Sequence, residues 1–323
     1  MAGFPTVLDW RSIDHASAPL QWFAMDSQRP ASRMTRRDDV AALLGSDWND
    51  ARLTLADDSP DDRPGLRRLT FTNHEGEACP AHFLPSRNGA AVLYCHAHGN
   101  RYDIGIDELI HGRPALGGPW LPEFTAMGFG VLALEMPCFG TRAHLPEAAT
   151  AKARLWHGRT LFGQMLGEQR AALQWLAQAP GVDARRIATM GISMGGTLAW
   201  WLGALCPELA AIVSTACFSD LETLIATGAH DGHGPYMTVP GLLRLTSTGG
   251  LCGLAAPTPI LHCVGFRDLF TPQAAFETAQ RDLDAAYAES PVRPRYVIDP
   301  DAGHEETPRM RQTIRQFLRD HLD

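Results

Sequence analysis

The chain has 323 residues, 45% of them hydrophobic and 20% charged, which is enough to bury a core without staples. Its 28 basic and 36 acidic residues leave a net charge of −8, a poor match to a nucleic-acid backbone. No apolar run approaches the roughly 20 residues of a membrane span, so neither nucleic acid nor membrane is an expected partner.

Pro5, Asp9 and Arg11 interrupt the stretch where a signal peptide would be continuously apolar, so a cytoplasmic location is expected. The seven cysteines are odd in number, dispersed and free of any CxxC pair. That usage suits reduced thiols better than a disulfide or zinc framework.

Residues 1–65 read as an N-terminal extension that packs on the main body. They hold Trp10, Trp22 and Trp48, a short helical pattern at Asp38–Leu44 and an acidic, proline-containing break at Asp57–Gly65. This tryptophan-bearing arm is also a candidate contact for a homodimer. Leu66–Thr72 and Ala81–Leu84, on either side of Asn73–Gly76, read as an antiparallel hairpin.

From residue 90 short apolar runs recur: Ala90–Ala97, Gly130–Leu134, Arg186–Met190, Ala210–Cys217, Ile260–Val264 and Tyr296–Ile298. Apolar on both faces, they predict strands of a parallel sheet covered on both sides. Helical patterns separate them. Thr160–Gln178 repeats apolar residues at three- and four-residue steps, and Thr307–Leu322 does the same behind a threonine cap and Pro308. This alternation predicts an α/β fold with a mostly parallel, doubly wound sheet flanked by helices, spanning 66–323.

Gly191-Ile192-Ser193-Met194-Gly195-Gly196 has the form G-x-S-x-G and lies between the strand at Arg186–Met190 and a helix at Thr197–Leu205. A strand turning sharply into a helix strains the serine backbone and lifts its hydroxyl above the sheet, and small neighbours are needed to let the elements close. The helix N-terminus there favours developing negative charge. Ser193 is therefore the candidate nucleophile.

A nucleophilic serine needs a base, and the base needs an orienting acid. Asp268 follows the strand Ile260–Val264 at the sheet edge where such folds place functional groups, and His304 lies in the loop before the last helix. Asp299 and Asp301 are rivals for the acid, but their closeness in sequence to His304 disfavours them. The oxyanion needs two N–H donors. Met194 follows the nucleophile, and Asn100 follows His98-Gly99 at the end of the first central strand, with Arg101 as the alternative.

His98-Gly99, the elbow at 191–196, Gly265-Phe266-Arg267-Asp268 and Gly303-His304, in that order, resemble the α/β-hydrolase superfamily over residues 66–323. More narrowly they resemble its dienelactone-hydrolase and acetyl-xylan-esterase-like branch. The resemblance implies Ser193 as nucleophile, Asp268 as acid, His304 as base, and Asn100 and Met194 as oxyanion donors. Dienelactone hydrolases proper carry a cysteine nucleophile, so Ser193 shifts the expectation to ester hydrolysis.

Two histidine pairs, His96-x-His98 and His230-x-x-His233, raise the question of a metal. They lack the further acidic and histidine positions of a metallo-hydrolase pattern, and a serine triad needs no metal, so no metal and no cofactor are expected. Cys95, Cys217 and Cys263 read as small core residues inside strands. Glu135–Gly140 is either pocket floor or a plain turn. No phosphate-binding glycine loop is present.

The expected activity is hydrolysis of a small-molecule carboxylic ester through an acyl-enzyme. Amide, peptide or lactone cleavage by the same triad is the alternative, and a non-catalytic hydrolase-fold binding protein is the reading from a different class. About 40 residues separate the strand ending at Cys217 from that starting at Ile260, far beyond a usual connection. This insertion, about 218–257, joins the sixth and seventh strands of the fold and is expected to roof the site. His98, Arg101, His233, Tyr236 and Met237 are the candidate pocket residues, in a pocket small enough to prefer short acyl groups.

Overall fold

The computed structural model describes residues 36–323. Trp10 and Trp22 lie outside the described residues. Nine strands form one sheet: β1 (Leu53–Pro60), β2 (Arg67–Asn73), β3 (Ala78–Leu84), β4 (Ala91–Cys95), β5 (Gly130–Leu134), β6 (Ile187–Ile192), β7 (Ala211–Thr215), β8 (Ile260–Gly265) and β9 (Arg295–Asp299). Their spatial order is β1-β2-β3-β5-β4-β6-β7-β8-β9. The first three strands and the β3–β5 pairing are antiparallel, and every pairing from β5 to β9 is parallel.

The fully buried strands β4 to β8 explain why the sequence there reads as unbroken apolar runs: both faces are covered. Against one face lie the helices Leu161–Leu176, Met194–Leu205 and Gln273–Ala286, with Phe162, Leu166, Leu198, Phe276 and Leu283 in the core. Against the other lie Glu108–His111, Leu121–Met127 and Pro308–Leu322, contributing Leu109, Phe124, Ile314 and Phe317. Thr160 caps the first of these helices by accepting from Gly163 N–H at 2.8 Å, and Thr307 caps the last. Among the described residues, no helix is long and apolar enough to cross a membrane.

The N-terminal segment departs from the sequence reading. Asp57–Pro60, read as a break, belongs to β1, which pairs with β2 across a register shift between Leu55 and Asp57. The sheet therefore begins at Leu53, not after residue 65. Polarity hid this strand: it is an edge with charged side chains facing solvent, so no apolar alternation marks it. The helix Arg37–Leu44 forms as expected and buries Val40 and Leu44. Close approach of this segment depends on Gly167, where a Cβ would lie 2.1 Å from the Asp47 carbonyl oxygen. Trp48 is buried next to it beneath the Arg170 guanidinium, 4.6 Å from the ring centre.

One core residue is expected to make the fold acid-sensitive. His262 on β8 is fully buried, its Nδ1 lies 2.6 Å from the Ser214 hydroxyl on β7, and the Phe218 ring stacks on it at 3.9 Å. Burial holds its pKa down at about 3. An unfolded chain takes up this proton near pH 6.5, so the stability contributed by neutral His262 is complete above that pH and is lost as pH falls toward 3. Urea unfolding should thus weaken by about 1.4 kcal/mol per pH unit from this group below pH 6. The His262→Gln variant should show a shallower pH slope, and an unchanged slope would place the acid sensitivity elsewhere.

Candidate active site

The strand order reverses between β4 and β6, the switch point at which open α/β sheets leave a crevice beyond their carboxyl ends. The elbow follows β6, and the His98–Asn100 turn follows β4. Ser193 adopts φ 57°, ψ −124°, a conformation that costs a β-carbon-bearing residue free energy and persists because its surroundings enforce it. Its N–H is held by the Thr215 carbonyl at 2.8 Å. A Cβ at position 195 would lie 1.9 Å from the Cys95 carbonyl oxygen, so only glycine lets the helix approach β4. The helix begins at Met194 instead of Thr197, since Ser193 is itself the residue preceding the first turn.

Three side chains from three strand ends meet here. Ser193 Oγ lies 2.9 Å from His304 Nε2, and His304 Nδ1 lies 2.8 Å from Asp268 Oδ2. The Asp268 side chain is fully buried, and its other oxygen accepts the Phe270 N–H at 2.8 Å. The Phe270 ring packs edge-on against the His304 imidazole at 5.0 Å. Of the rival acids, Asp301 forms a surface pair with Arg267, and Asp299 Oδ1 accepts the Asp301 N–H. Neither reaches the histidine.

The structure brings most of the predicted residues together. Ser193, Met194, His304, His98, Asn100, His233, Tyr236 and Met237 line one cavity of about 120 Å³. Arg101 does not belong there. Its side chain is exposed and held by Asp103 through two hydrogen bonds of 2.9 and 2.8 Å, because the turn carries residue 101 away from the crevice. Asn100, at φ 53°, is at the cavity, but its N–H donates to His98 Nδ1 at 3.0 Å. The expected oxyanion donor is therefore engaged by its neighbour.

His98 is fixed on its other side as well. Its Nε2–H donates to the buried carboxylate of Glu147, and the Tyr236 ring stacks on it at 5.3 Å. His96 faces a different carboxylate, Glu135, at 3.2 Å. Glu135–Gly140 does not line the cavity but forms a layer beneath it: Phe139 packs edge-on against His96 and His98, both at 5.1 Å. Cys217 is likewise corrected. It sits beyond β7 in the cavity wall instead of inside a strand, and burial pushes its thiol up to about 12. Burial also lowers the pKa of His233, whose Nε2 lies 3.1 Å from the Phe270 carbonyl.

Sequence reasoning missed Phe162, Trp200, Trp201, Ser219 and Phe270 in the lining, and Glu147 behind it. Trp200 was open to discovery. Seven residues after Ser193 on a helix is two turns, nearly the same face, and side chains there slant back toward the N-terminus. The insertion supplies Leu221, Leu224, His233, Tyr236 and Met237, whereas Leu242 is buried next to the helix Arg37–Leu44, away from the site.

Comparison with known proteins agrees with this architecture. Residues 170–226, which include the elbow, match the family model described as BAAT / Acyl-CoA thioester hydrolase C terminal. A Bacillus subtilis (strain 168) protein described as "Putative hydrolase YtaP" is 35% identical over 260 residues, covering 79% of this chain and 86% of the relative. Acetyl xylan esterase 1 from Thermoanaerobacterium sp. JW/SL YS485 superposes with a TM-score of 0.64 at 18% identity, over 89% of this chain and 94% of that one. A glucuronoyl esterase from Solibacter usitatus superposes with a TM-score of 0.60 at 13% identity, over 89% and 92% of the two chains. The sheet order, the strained serine at its switch point and the extent of the match to YtaP make this chain a member of the α/β-hydrolase superfamily, in the family that includes YtaP.

Proposed function

We propose that the chain is a serine hydrolase of small carboxylic esters. The observation that carries this reading is the unbroken hydrogen-bonded line Asp268–His304–Ser193, at 2.8 and 2.9 Å, opening onto a lined cavity. In the tautomer with Nδ1–H donated to Asp268, His304 Nε2 takes the Ser193 proton as Oγ attacks the ester carbonyl. The Met194 N–H, at the positive end of its helix, stabilises the oxyanion. The Asn100 N–H is the second donor, shared with His98 Nδ1, whose orientation Glu147 holds. The alcohol leaves with the proton from His304, and water activated by the same imidazole releases the acid.

Thioesters are the second reading, favoured by the family model matched at the elbow. Matched oxoester, thioester and amide substrates separate these chemistries. A fluorophosphonate label should attach to Ser193, and a protein that resists labelling while hydrolysing esters would overturn the assignment.

The acyl preference follows from the roof. Tyr236 and Met237 close the cavity on the insertion side, and both are packed against the core. Acetyl to butyryl esters should be preferred over longer ones. Tyr236→Ala or Met237→Ala should raise the relative kcat/KM for octanoyl over butyryl esters by about 10-fold, since a methylene that clashes is worth about 1–3 kcal/mol. An unchanged chain-length profile in both variants would place the limiting wall elsewhere.

A further inference from the structure

Two polar groups in the cavity wall are not explained by the chemistry above. Trp200 and Ser219 both line the cavity, and both are more than nine-tenths buried. Among the described residues, neither the Trp200 indole Nε1 nor the Ser219 hydroxyl has a hydrogen-bond partner. A buried donor left without an acceptor is destabilising, and native proteins rarely keep two in one wall. Phe162, Trp201, Leu221, Leu224 and Met237 supply the apolar lining, and the threonines beside them are already bonded: Thr197 donates to the Ser193 carbonyl at 3.3 Å and Thr248 accepts the Leu221 N–H at 3.0 Å. The helix geometry places Trp200 two turns below the nucleophile, on the enclosed side of the site. His304, a quarter exposed, marks the open side through which an alcohol would leave.

We infer that the acyl group this site accepts carries a neutral oxygen, as an ether, hydroxyl or ketone, which accepts from Trp200 Nε1–H and pairs with the Ser219 hydroxyl. This rests on the ester-hydrolase reading for the direction in which the substrate lies. An indole N–H only donates, so its partner must be an acceptor, and a hydroxyl adapts to the same atom. The partner is neutral because no lysine or arginine lines the cavity. Its histidines are already engaged: His98 by Glu147, His304 by Asp268, and His233 by the Phe270 carbonyl. A carboxylate there would have no counter-charge. A site built to hydrogen-bond an oxygen discriminates strongly against an analogue that lacks it, because its own polar groups then stay unpaired.

Binding tests this independently of turnover. The Ser193→Ala protein, labelled with nitrogen-15, is titrated with methyl methoxyacetate and methyl 3-methoxypropanoate, and with their methylene counterparts methyl butanoate and methyl pentanoate. The Trp200 indole resonance, identified by its absence in Trp200→Phe, should move downfield with at least one ether ester and not with its counterpart. That ether ester should bind about three- to tenfold more tightly. The ratio should fall toward one in Trp200→Phe and, should that variant fail to fold, in Ser219→Ala. Equal affinities within both pairs, a ratio unaffected by the substitutions, or no binding of any ester would overturn the inference. A preserved ratio with no hydrolysis by the unsubstituted protein would support it and refute the ester-hydrolase reading instead.

Discussion

The Ser193→Ala protein is expected to fold normally and to lose ester turnover by a factor of about 10⁴ or more. Folding should survive because the strain at φ 57° resides in the main chain, which is pinned by the Thr215 carbonyl and by the close packing at Gly195, and alanine bears it as serine does. Turnover should not survive, since Oγ is the atom that His304 Nε2 faces at 2.9 Å, and removing it leaves the base with nothing to activate but water. Residual rate would come from the oxyanion donors and substrate positioning alone. The measurement is kcat/KM on a p-nitrophenyl ester series with a far-ultraviolet spectrum as the folding control. More than a few per cent of the original activity would move the nucleophile to another residue.

Asp268→Asn should cost about as much, roughly 10⁴-fold, for a different reason. The carboxylate accepts from two donors: Phe270 N–H on Oδ1 and His304 Nδ1–H on Oδ2. In the asparagine variant the Phe270 N–H still requires an acceptor, so it keeps the amide oxygen and turns the NH₂ toward the histidine. His304 must then accept at Nδ1 and carry its proton on Nε2, pointing a donor at the serine hydroxyl where an acceptor is needed. Asp301→Asn is the matched control. Its carboxylate makes only an exposed pair with Arg267, so the change should be nearly neutral. A damaging Asp301→Asn beside a mild Asp268→Asn would reverse the assignment of the acid.

How far the sequence could be read depended on whether a residue's partner is local. The five buried strands β4 to β8, the partly exposed β9 and the long capped helices were legible because periodicity and capping are short-range signals. The three residues at the strand ends were legible because a parallel sheet delivers successive loops to one edge. The edge strand β1 was not legible, since its solvated side chains carry no apolar pattern. Arg101 was misplaced because the direction of a turn is set by two successive positive φ angles, at Gly99 and Asn100, that composition does not encode. Glu147 was invisible because it meets the site from a segment distant in sequence, across a contact that only tertiary packing creates.

The walls of the cavity and its chemical apparatus have separate origins in the chain. The reacting groups sit on strand-end turns whose backbones are locked by the sheet, whereas much of the roof comes from the single run between β7 and β8. Leu242 of that run is braced from outside by the helix Arg37–Leu44, and the run's short helix Thr248–Cys252 packs on Gln273–Ala286 and on the elbow helix Met194–Leu205. An evolving or engineered lineage can therefore vary the cavity-facing positions of this run, such as Leu221, Leu224 and Met237, and change what enters, while Phe218, Leu251 and Cys252 keep the run anchored in the core. The elbow, by contrast, admits almost no drift, since each of its close approaches is already at the limit of atomic contact. Selectivity is the inheritable variable of this scaffold, and reactivity its constant.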